Sequence, residues 1–163
     1  MSSYDRAGWH YGGDFPGGLP PENGGTHIGM FLAWCIMNNL QGEFHDRESA
    51  GGLEAVRERG ITGREFLMAE CDEKFGDEDL DEEGNRFARA YYEITQEKEE
   101  ASYLSDYERI LSPGLPSLYH VADTWENYDM IAPVISARYQ HWRTTGNLGD
   151  PSVEPKKSWW RFW

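Results

Sequence analysis

The chain has 163 residues and a formal net charge of −14, with a pI near 4.7. A surface this negative repels a phosphate backbone and argues against nucleic-acid binding, while it attracts and steers a basic partner. The two cysteines, Cys35 and Cys71, are too few for a disulfide framework or a four-cysteine zinc site.

The length suits one domain, on a prior of roughly 100–200 residues. The longest apolar stretch, residues 28–37, is short of the ~20 residues that a membrane span needs. The opening MSSYDRAGWHYGG lacks the basic end and apolar run of a signal peptide. A reduced, cytoplasmic protein without a membrane partner is therefore expected.

Residues 1–25 are rich in glycine and proline and read as loop. The next stretch is apolar on nearly every face, which predicts a buried central helix over about 26–40, closed by Asn38, Asn39 and Gly42. Cys35 lies inside it as a buried thiol. A helix over 52–59 stops at Gly60, suited to a left-handed cap. Thr62 with Glu65 forms a capping-box pattern that launches GREFLMAECDEKF.

In NRFARAYYEIT, Phe87, Ala90, Tyr91 and Ile94 share one stripe, and SDYERIL forms a shorter helix before SPGLPS. Asp123 and Glu126 are placed to cap the last long helix. There Trp125, Tyr128, Ile131, Ile135, Tyr139 and Trp142 recur at intervals of three or four. Pro133 interrupts it and should kink it. Residues 118–122 (LYHVA) could form a short strand, and no other alternating run appears. The expectation is a mainly α protein. It forms a single compact helical domain over 1–163, with a loop-rich segment at 1–25 and an aromatic tail at 150–163.

None of the five histidines, His10, His27, His45, His120 and His141, shows the spacing that places two imidazoles on one helical face. Side chains in HDRE (45–48) diverge. His27, at the mouth of the central helix, reads as a satisfied structural imidazole. An ion site would have to be assembled from distant residues.

Asp79, Asp81, Glu83 and Gly84 fit the opening of a calcium loop, but its closing position falls on Ala90, where a glutamate is required. No GxSxG elbow is present, the cysteines lack a context that lowers a thiol pKa, and no GKS/T closes the glycine-rich segment. No catalytic residue, cofactor or metal ligand is assigned.

Two surface features remain. Between Glu70 and Glu100 thirteen acidic residues stand against four basic ones, a local charge of about −9. The plain reading is a solvated face. The functional reading is a recognition patch for a cationic protein, with Asp77, Glu78, Asp79, Asp81, Glu82 and Glu83 as contacts. The tail PSVEPKKSWWRFW places Trp159, Trp160 and Trp163 beside basic residues, to clip back onto a helical groove or to anchor a partner.

Residues 4–40 (YDRAGWHYGGDFPGGLPPENGGTHIGMFLAWCIMNNL), 120–142 and the terminal WWRFW resemble an uncharacterised bacterial domain family associated with immunity proteins of polymorphic-toxin and type VI secretion loci. The resemblance implies a cytoplasmic protein that neutralises a delivered toxin and transfers no catalytic role; a non-enzymatic block by occlusion is the expected mode. The acidic run makes a basic effector, such as a nuclease, the expected partner. In that reading the opening stretch is scaffold: Trp9, His10, Tyr11 and Phe15 cover a flank of the central helix, while Asp14 and His27 satisfy loop amides or helix-start donors. The alternatives are a small metal-dependent hydrolase using His27 with distant carboxylates, and an adaptor that binds through the Trp-rich tail.

Overall fold

A computed structural model describes residues 3–12, 15–92 and 101–149. Asp14, Ile94, the acidic residues of 93–100 and the Trp-rich tail lie outside the described residues. The fold is mainly α. Its elements are β1 (Ser3–Arg6), α1 (Ala7–Tyr11), α2 (Thr26–Met37), α3 (Glu43–Glu48), α4 (Ala50–Arg57), α5 (Gly63–Glu70), β2 (Lys74–Gly76), α6 (Glu82–Tyr91), α7 (Tyr103–Leu111) and α8 (Trp125–Thr145).

The predicted central helix is α2, and every residue from Thr26 to Ile36 is buried. It ends at Met37 rather than at residue 40, because the amides of Asn38, Asn39 and Leu40 turn back onto the carbonyls of residues 34–36. Asn39 adopts a left-handed φ of 57°. Phe31, near the middle of α2, meets the rings of Phe75, Phe87, Tyr91, Tyr92 and Tyr103. Trp34 donates its indole N–H to Ser136 Oγ on α8 at 2.9 Å. Large aromatic side chains thus make up much of the contact that holds the helices together.

Helices α2 and α5 cross at two glycines. A Cβ on Gly63 would lie 1.8 Å from the Gly29 carbonyl oxygen, and one on Gly29 would lie 2.2 Å from the Arg64 amide nitrogen. Only backbone fits at this crossing. Arg64 then ties the start of α5 to the start of α2 by donating to Thr26 Oγ1 at 3.1 Å and pairing with Asp123 at 3.2 Å.

Several boundaries differ from the sequence reading for local reasons. The Thr62–Glu65 capping box is present in both directions. The left-handed residue after α4 is Arg59 (φ 62°) and not Gly60, since Gly60 reaches back to the Ala55 carbonyl as the chain turns. Thr124, not Asp123, caps α8, accepting from the Asn127 amide. Asp123 instead accepts from the Thr62 hydroxyl and Arg64. Pro133 sits inside α8, which continues to Thr145. Residues 118–120 form a 3-10 turn in place of the expected strand.

Two strands went unforeseen: β1 and β2 pair antiparallel, with Asp5 opposite Phe75. Strands of four and three residues are too short to carry a readable alternation. Among the described residues no helix is long and apolar enough to cross a membrane.

Candidate functional site

The pairing of β1 with β2 buries Asp5 at the corner where the chain turns into α1. Its carboxylate gathers four donors. Oδ1 accepts from the Arg6 amide at 2.8 Å and meets His10 Nε2 at 2.7 Å. Oδ2 accepts from the Tyr92 hydroxyl at 2.6 Å and meets His27 Nε2 at 3.0 Å. The two imidazoles stand edge to face, 4.5 Å between centroids.

His10 is oriented from its other side by Tyr119, whose hydroxyl lies 2.6 Å from Nδ1. Tyr103 stacks on Tyr92 and donates its hydroxyl to the His27 carbonyl. The cluster borders a cavity of about 320 Å³ lined by Tyr4, Asp5, His10, His27, Tyr92, Tyr103 and Leu104.

The electrostatics follow from that geometry. Burial raises the Asp5 carboxyl, but the hydrogen bonds from His10 and His27 outweigh it and hold the group well below the usual carboxylate range. Burial lowers His27 more than Asp5 raises it, so the imidazole is neutral and donates its Nε2 hydrogen. His27 Nδ1 has no partner among the described residues. The arrangement is an ionised carboxylate, flanked by two imidazoles and three tyrosine hydroxyls, on the wall of a cavity. It can hold a cation or orient an imidazole.

A second cluster joins α3 to the turn before α6. His45, fully buried, meets Asp79 Oδ1 at 2.7 Å through Nε2 and Ser49 Oγ at 3.0 Å through Nδ1. Asp79 Oδ2 accepts from the Gly76 amide at 2.8 Å. Cys71 Sγ lies 3.7 Å from His45 Nε2. Burial, then the nearby Asp79, push the Cys71 thiol far up, and burial does the same to Cys35. Both cysteines are protonated and unreactive at neutral pH.

The acidic residues selected from sequence divide into two sets. Asp79 is buried in the second cluster. Asp81 caps α6 by accepting from the Gly84 amide. Glu83 accepts from the Tyr139 hydroxyl and faces Arg143. Asp77 is half-buried, and its carbonyl accepts from the Asn85 side chain. Glu78 and Glu82 are exposed.

Two exposed carboxylates from α3, Glu43 and Asp46, join that side, because an antiparallel bridge from Gln41 to Leu80 sets the starts of α3 and α6 next to each other. The proposed aromatic cover of α2 is only partial, since Trp9 is 56% and Tyr11 38% exposed. Arg6 lies over the Trp9 ring. His10 packs on His27 at the start of α2 and on Tyr119, while Phe15 packs on Tyr119.

Sequence reasoning placed His27 at the mouth of α2 but passed over Asp5, Tyr92, Tyr103 and Tyr119. Asp5 and His10 stand five residues apart, a spacing that becomes a contact only across the β1–α1 corner. No curated protein and no solved structure matches the chain. The span from residue 3 to residue 121 contains every side chain of the Asp5 cluster and leaves α8 outside. That span matches the model described as a domain of unknown function, DUF7832, and the chain belongs to this family.

Proposed function

We propose that the protein is an immunity-type inhibitor that binds a basic secreted antibacterial effector and blocks it by occlusion. The observation that carries this reading is the acidic side made where α3 and α6 begin. Glu43, Asp46, Glu78 and Glu82 are exposed there, on a chain of net charge −14. Two of these residues belong to the acidic run, and two come from an element that sequence order keeps apart from it. Carboxylates at helix starts also complement the helix dipole, so that local role is served together with recognition. The resemblance of residues 4–40 and 120–142 to an uncharacterised family associated with immunity proteins points in the same direction, and a cationic nuclease is the effector class that such a surface would meet productively.

The test takes as partner a basic secreted effector, sought among the products of the genes neighbouring this one. Combined Glu43→Gln, Asp46→Asn, Glu78→Gln and Glu82→Gln should slow association by about tenfold at low salt and flatten its salt dependence, as expected of steering charges. A control neutralising Glu54, Glu108, Glu126 and Asp129, exposed on other helices, should change the rate far less. Equal association rates for the two quadruple variants would remove the acidic side from the account.

A further inference from the structure

We propose that Asp5, His10 and His27 bind one divalent transition-metal ion of the kind that prefers nitrogen and oxygen ligands, such as zinc, with its remaining coordination positions open to the adjoining cavity. This inference does not depend on the acidic side or on any protein partner.

The geometry carries it. Donor atoms on one small cation with bonds near 2.1 Å stand roughly 3 Å apart. His10 Nε2 and His27 Nε2 lie 2.7 and 3.0 Å from the two Asp5 oxygens, and the ligand atoms of the three residues all fall within 4.8 Å of one another. Two imidazoles and one carboxylate form a donor set that hydrolytic and oxygen-activating metal sites use, with free positions for water or substrate. The free side here is the cavity of about 320 Å³.

The outer groups are also in place. Tyr119 holds His10 at Nδ1, and Tyr92 holds the carboxylate, the kind of support that orients metal ligands and raises affinity. Both imidazoles can pass to the tautomer with hydrogen on Nδ1 without changing charge. His10 then donates to the Tyr119 hydroxyl. At His27 Nδ1 no hydrogen bond is lost, because none is made there.

The His45–Asp79–Cys71 cluster offers a second donor set, also within 4.8 Å. It is the weaker choice, because the His45 and Asp79 side chains are only 1% and 4% exposed and its thiol is held protonated, whereas the His10 ring is 18% exposed and lines the cavity.

The full chain, stripped with chelator and dialysed, is titrated with cobalt(II) chloride, with the visible ligand-field band and bound metal per chain as readouts. The expected result is one cobalt per chain, a band without thiolate charge transfer, and displacement by zinc. His10→Ala, at a partly exposed ring, should weaken binding at least tenfold while circular dichroism stays native, and Tyr119→Phe should weaken it about tenfold. Cys71→Ser should leave it unchanged. Absence of binding to folded wild-type protein overturns the assignment. So does unaltered binding by His10→Ala, or a thiolate band that Cys71→Ser abolishes.

Discussion

The two carboxylate–imidazole clusters use the same chemistry at the same 2.7 Å separation, yet they face different surroundings. Around Asp79, a carboxylate, an imidazole, a hydroxyl and a backbone amide close on one another, with His45 fully buried. Around Asp5, the same groups are assembled in greater number, but the far side is a cavity lined by tyrosines. The closed cluster locks the start of α3 to the turn before α6. The open one is equally ordered and presents that order to whatever enters. Burial of a histidine does not distinguish the two; what adjoins it does.

Both clusters depend on the α2–α5 crossing, since α2 carries His27 and α5 leads into the turn with Cys71. Gly63→Ala would push a methyl into the Gly29 carbonyl and force the helices apart. The expected cost is about 3 kcal/mol or more, with both clusters disrupted, and chemical denaturation measures it. A variant of near-native stability would show that the crossing is looser than its backbone contact implies.

Next in size are the carboxylates themselves. Asp79→Ala leaves the buried His45 Nε2 and the Gly76 amide without an acceptor, at a cost of about 3 kcal/mol. Asp5→Ala removes more hydrogen bonds, but cavity water can reach the vacated donors, so about 2 kcal/mol is expected. If Asp5→Ala proves the costlier of the two, the difference between open and closed surroundings has no energetic meaning.

That contrast could not be read in the sequence, and the reason is the range over which each signal acts. The all-apolar run that became α2, the Thr62–Glu65 box and the aromatic spacing of α8 are local patterns, and the structure retains them. Asp5 meets His27 and Tyr92 across 22 and 87 residues, through a strand pair too short for periodicity. Asp79 looked like one more carboxylate in an acidic run, although its neighbour in space is His45, 34 residues earlier. Charge density along the chain says nothing about which carboxylates turn inward.

A third polar centre extends the closed class. Asp106 accepts from Arg138 Nε and Nη2 at 2.9 and 3.1 Å and from the Tyr91 hydroxyl at 2.6 Å. Burial, then the charge of Asp106, push Tyr91 well above its ordinary value, against the opposing pull of Arg138 and Arg109. A folded-state pKa above the unfolded value gives stability that is whole below about pH 10 and lost as pH rises beyond it. The loss should reach up to about 1.4 kcal/mol per pH unit for this group. Asp106→Asn should lower the pH at which one tyrosine ionises, read by ultraviolet absorbance. An unchanged titration would detach Tyr91 from that centre.

The smallest effects give the sharpest comparison, because each removes one hydroxyl from the outer side of an imidazole. Ser49→Ala deprives His45 Nδ1 of its partner in a fully buried place, which should cost about 1–2 kcal/mol. Tyr119→Phe removes the equivalent partner from His10, whose ring is 18% exposed. Water can take the hydroxyl's place there, so less than about 1 kcal/mol is expected. Stability and function should therefore separate at Tyr119: a nearly neutral change in unfolding free energy, beside a measurable loss of metal affinity. A Tyr119→Phe variant that loses as much stability as Ser49→Ala would instead make His10 one more piece of closed scaffold, held for the fold and not for a ligand.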